Sequence, residues 1–284
     1  MNKFIAVTLI LFLGAIAGAT HFKAKNMLEI KFKLGENIVI TARQTNIPEF
    51  NVSNTNGLLQ YQVMQLPSDA IAIYDRPGFE IRSGPIFSLN FRADRARSKI
   101  DGVHAFQVKI DTKDITNHQS AREFVETIIS QFRSGKWQRR LSVYCPAVTG
   151  RSVFITVEGA IDSDGCALDP NFVMSEAEWK KLFADGQNFE WLGDGVFAQL
   201  AIKYNDRTPQ PLYEIFLRFE DYKTKLTVIR ENEKRRIEEG DAKGWESSAI
   251  TARDWIATEK TNRVLEANAL KRGDKVLVRV PDPE

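Results

Sequence analysis

Residues 103–137 read "VHAFQVKIDTKDITNHQSAREFVETIISQFRSGKW", and this stretch decides the fold class. Its first part has period two. Phe106, Val108 and Ile110 share one face, with His104 in line behind them, as in a half-buried strand. Its second part changes period. Phe124, Val125, Ile128, Ile129 and Phe132 recur at helical spacing. Ser120 with Glu123 three residues on predicts a capping box, and Gly135 predicts the stop.

Upstream, Leu28, Ile30, Phe32 and Leu34 alternate with charged residues, and Gly35-Glu36-Asn37 turns the chain. Ile38 to Thr41 is then expected to return as the second strand of a hairpin. Residues 46–57 are turn-rich. Strands are expected at 58–66, at 70–75, and on either side of Ser83-Gly84-Pro85.

Downstream, "KWQRR" (136–140) leads into an expected strand at 141–145, which turns at 148–151 and pairs with 152–158. Ser175 and Glu178 repeat the helix-start chemistry. Strands follow at 195–204 and 212–220, with the linker candidate "NDRTPQP" between them. Residues 221–240 read as a charged helix with a sparse stripe of Tyr222, Leu226, Ile229 and Ile237. Residues 247–274 read as a further helix ending near Gly273, and "KVLVRV" (275–280) as a closing strand. Strands and helices in this order imply an α+β fold with antiparallel sheets and flanking helices. The division expected is a main domain at 20–205 and a C-terminal lobe at 206–284. A short echo of "SGKW" (134–137) in "AKGW" (242–245) fits two related lobes.

The first 19 residues carry Lys3, an apolar run from Phe4 to Ile16 and small residues up to Ala19, a secretory signal pattern. An uncleaved anchor is the alternative, and then the only membrane contact expected. An exported chain folds where disulfides persist. Cys145 and Cys166, the only two cysteines, are therefore expected to form one bridge. Lys and Arg number 39 against 37 Asp and Glu, a balance that argues against a nucleic-acid partner.

Catalytic spacing is weak throughout. Asp162-Ser163-Asp164-Gly165 suggests a cation loop, but Ala160 and Asn171 occupy the ends where an EF-hand needs acids. Glu190, Asp194 and Asp162 are candidates for a carboxylate pair. His118 is expected to be exposed. No G-x-S-x-G elbow occurs. No metal or cofactor is expected. Trp137, Arg139 and Arg140 combine an aromatic ring with cations, the residue types that anchor interfaces, and are the candidate partner contacts.

The signal, the passage 103–137 and the single cysteine pair together resemble the plan of bacterial periplasmic immunity proteins. That resemblance implies a non-enzymatic protein that occludes a toxin or envelope enzyme. The two other expectations are an envelope hydrolase working through acidic residues and a structural or adhesion module.

Overall fold

The computed structural model describes residues 27–96, 100–163, 165–207 and 209–279. The expected leader at 1–19 and Asp164 of the cation loop lie outside the described residues. The fold is α+β, as expected, and Cys145–Cys166 is a disulfide with Cα atoms 5.7 Å apart.

The strands are β1 (Glu29–Phe32), β2 (Asn51–Thr55), β3 (Leu58–Val63), β4 (Ile71–Tyr74), β5 (Ile81–Ser83), β6 (Ile86–Asp94), β7 (Val103–Ile110), β8 (Gln138–Arg139), β9 (Gln187–Gly193), β10 (Val196–Asn205) and β11 (Leu212–Asp221). The helices are α1 (Ile38–Gln44), α2 (His118–Ser134), α3 (Glu176–Ala184), α4 (Tyr222–Ala242) and α5 (Ser247–Lys271), with a 3-10 turn at Gly150–Phe154. Eight strands form one sheet in the order β2-β3-β6-β7-β11-β10-β9-β8, each pair of neighbours antiparallel. A small sheet, β1-β4-β5, pairs β1 parallel to β4.

Period two gives the large sheet an apolar and a polar face. The apolar face is covered by the small sheet, α2 and α3. Phe32 from β1 stacks on Phe106 at 3.5 Å, Tyr74 from β4 on Phe219 at 4.7 Å, and Phe132 from α2 on Trp191 at 3.8 Å. Such aromatic layers bury large areas and fix how the elements sit. Among the described residues, the polar face is covered at one corner, where Tyr222 and Leu226 of α4 pack on Phe197 and Leu192.

Beyond that corner α4 leaves the body and pairs with α5 as a two-helix arm. Ile229, Trp245, Ile250, Trp255 and Ile256 are exposed along it. The arm's base is fixed where Ala147 N donates to Glu266, Ser152 N to Asp274 and Leu277 N to the Ala147 carbonyl.

Several local expectations are corrected. Residues 38–41 are helix, because the Asn37 side chain accepts from Val39 N and Ile40 N and so caps α1. α2 begins three residues early. Asn117 is its cap and Ser120 the third residue of a reciprocal capping box. The turn-rich stretch contains β2, an edge strand with exposed side chains. The hairpin expected at 141–158 does not form. That backbone spends its hydrogen bonds elsewhere: Gly150 N donates to Asp169 and Ser152 N to Asp274. Residues 275–279 are not a strand; Val276 makes one isolated bridge to Val148. The linker candidate is the turn between β10 and β11, which pair with each other from Val196↔Asp221 to Asn205↔Leu212.

Candidate functional site

Strand register builds the most extensive feature of the molecule. Asn51, Gln62, Asn90, Gln107, Arg218, Gln199 and Glu190 are successive cross-strand partners over seven strands. Arg140 extends the row just past the end of β8, where its N–H donates to the Glu190 carbonyl at 3.0 Å. Eight polar side chains therefore cross the polar face from one edge to the other. At a strand spacing of about 4.8 Å, the row is roughly 34 Å long.

The row is internally tied from Gln107 to Arg140. Arg218 donates to Gln107 Oε1 through Nε and Nη2 at 3.1 and 2.9 Å. Gln199 Nε2 donates to Glu190 Oε1 at 3.1 Å, and Arg140 Nη1 to Glu190 Oε2 at 2.8 Å. Burial opposes the charge on Arg140, but hydrogen bonds to Tyr222 and Glu190 outweigh it and raise its pKa. The neighbouring row adds Arg92 and Glu220, which pair at 3.4 Å, and Lys225 reaches Glu220 from α4 at 2.5 Å. Burial works against Glu220 as an anion; Lys225, Arg218 and Arg92 outweigh it and hold its carboxyl below the usual range. Lys225 also sits 4.1 Å from the Phe197 ring centre, a cation–π contact.

His104 belongs to this face, not to the apolar one. A bulge shifts the register between Arg92 and Ala93, opposite Ala105 and Val103, so His104 is the extra residue. Burial is the main cause of its lowered pKa, with Arg92 second. His118 is half-buried rather than exposed. Its Nδ1 is 2.6 Å from the Tyr213 hydroxyl, which accepts from Trp179 Nε1. Burial is the main reason the Tyr213 hydroxyl is pushed up to about 12.

Strand alternation separates the three candidate contact residues. Trp137 is buried among Tyr74, Phe79, Phe132 and Phe219, and its Nε1 donates to the Phe79 carbonyl. Arg139 points the same way and bolts β8 to the disulfide-closed loop through the Val148 and Ala167 carbonyls at 2.7 and 3.3 Å. Arg140 alone faces outward, onto the row. A cleft of about 480 Å3 adjoins it, lined by Phe79, Lys136, Leu192, Asp194 and Tyr222 among others.

The candidate carboxylates fall in three places. Glu190 is in the row, Asp194 is ion-paired with Arg76 beside the cleft, and Asp162 lines a cavity against α5. Among the described residues, no group of three His, Cys, Asp or Glu side chains is placed to hold a metal ion. No described helix is long and apolar enough to cross a membrane. Gln107, Gln199, Arg218, Arg92 and Lys225 were not singled out in the sequence. For the four on strands the only signal is the polar half of the period-two pattern, and Lys225 lies in the first turn of α4. Compared with known protein families, curated proteins and solved structures, the chain matches none.

Proposed function

We propose that this is an exported, periplasmic protein-binding protein that receives its partner on the open face of the eight-stranded sheet. On this reading it acts as an inhibitor or immunity protein, occluding the working surface of a toxin or envelope enzyme. The observation that carries the proposal is the polar row from Asn51 to Arg140. From Gln107 to Arg140 its side chains are half-buried and tied in two groups, so a partner need not freeze many free rotamers there on docking. About 34 Å of width, with a further row on either side, is of the order of the ~800 Å2 that each partner gives to a standard interface.

Charge sets the partner's character. Arg92, Lys109, Arg140, Lys203 and Arg218 belong to this face and Lys225 reaches it from α4, against Asp94, Glu190, Glu214 and Glu220. The basic excess favours a partner with an acidic patch. The disulfide fits an oxidising compartment and supports export.

The test is affinity capture from periplasmic extract with the mature chain as bait, beside an Arg218→Glu, Gln199→Ala bait. A stoichiometric partner held by the first bait and lost from the second is expected. A partner held equally by both, or by neither, contradicts the proposal.

A further inference from the structure

A separate cavity of about 290 Å3 lies between the disulfide-closed loop and α5. Tyr144, Asp162 and Ser163 line it from the loop; Thr258, Thr261 and Asn262 line it from α5. Those three helix positions are spaced i, i+3 and i+4 and so share one face. Ser163 is 3% exposed, and its Oγ has no hydrogen-bond partner among the described residues. A buried hydroxyl left unmatched is destabilising, so this wall suits a guest that returns a hydrogen bond. Asn262, 6% exposed, also lines an adjoining cavity, which is bounded by Trp255, Arg263 and Glu266.

Two aromatic rings stand beside these cavities. Tyr144 and Trp255 meet edge-to-face with centroids 5.6 Å apart, yet remain 56% and 43% exposed. Glu259 pairs with Arg263 at 2.5 Å and Glu266 with Arg279 at 3.2 Å, so these charges cancel, and Asp162 adds a carboxylate acceptor to the wall.

We propose that this is a binding site for a neutral saccharide. A pyranose ring has an apolar C–H face and a rim of hydroxyls, each able to donate and accept. The site offers both complements, with exposed rings for the face and hydroxyl and amide groups for the rim. An apolar peptide in the cavity would strand Ser163 and Asn262 without partners. Water alone would satisfy Ser163 and leave the two rings uncovered. The disulfide joins the two halves of the loop wall, since Tyr144 adjoins Cys145 and Ser163 lies three residues before Cys166. The inference is independent of the open sheet face.

The test is saturation-transfer NMR on the disulfide-bonded chain with a panel of neutral sugars: glucose, galactose, mannose, N-acetylglucosamine and their disaccharides. At least one should bind saturably, with a dissociation constant of about 1 mM or below. Trp255→Ala and Ser163→Ala should each weaken binding about two- to tenfold at unchanged melting temperature. Neither substitution removes a side chain on which the core depends. Absence of saturable binding across the panel, with the cavity holding water only, would overturn the proposal. So would both variants binding as the parent does.

Discussion

Glu190 receives Arg140 on one carboxylate oxygen at 2.8 Å and Gln199 on the other at 3.1 Å. The carboxylate therefore joins β8, β9 and β10 on the face away from the core. Its neighbours neutralise it and hold it still, which suits positioning better than proton transfer.

The pair is largely shielded from water, with side chains 17% and 13% exposed. Removing one partner leaves the other charge poorly solvated. Glu190→Gln should cost about 1–3 kcal/mol in urea unfolding. Adding Arg140→Gln should cost less than the sum of the two single changes. Strict additivity would show that the pair is not coupled.

Gly193 ends β9 under two aromatic rings. A Cβ there would lie 2.6 Å from Phe79 and 2.7 Å from Trp137. Both rings are packed, so neither yields easily. Gly193→Ala is expected to destabilise by about 1–3 kcal/mol, read as a lowered denaturation midpoint. A midpoint equal to the parent's would show that this corner is looser than the packing implies.

Cys145→Ser should cost about 2–5 kcal/mol and leave Cys166 reactive to thiol reagents. The loss should spread to the base of the arm, because Arg279 donates to the Cys145 carbonyl and Leu277 N to the Ala147 carbonyl. Hydrogen exchange at 275–279 should therefore quicken more than exchange in β7. Uniform quickening would detach the disulfide from the arm.

Acid should loosen the start of α3. Burial opposes the charge on Glu178, but hydrogen bonds from Ser175 and from Arg151, whose Nε is 2.6 Å away, hold its carboxyl below the usual range. The folded state then binds this proton less readily than the unfolded chain. The contribution is complete above about pH 4.3 and is lost as pH falls through the lowered value. Glu178→Gln should flatten that part of the stability profile, measured by urea unfolding from about pH 7 down to about pH 3. A slope identical to the parent's would exclude Glu178 as a contributor.

Periodicity made β3, β6, β7, β10, β11 and the four longer helices legible. The polar row was not legible, for a physical reason. Alternation tells which residues share a face of one strand, not which strands are neighbours. Gln107 and Arg218 meet only because β11 enters the sheet between β7 and β10. The loop from 141 to 158 misled because Val143 and Cys145 alternate as a strand would. Its backbone instead binds Glu266, Asp169 and Asp274, the first and last of them more than a hundred residues away. Trp137 looked like a surface anchor because its neighbours are charged. Alternation turns it inward with Arg139 and leaves Arg140 outside.

The measurement that bears most directly on the open face is the affinity of the captured partner for the parent chain and for Arg218→Ala, Gln199→Ala. Both side chains lie mid-row, and neither supports the core. The expected result is a loss of about tenfold or more, at a melting temperature close to the parent's. Equal affinity would place the partner elsewhere and end the case for the sheet face as the binding surface.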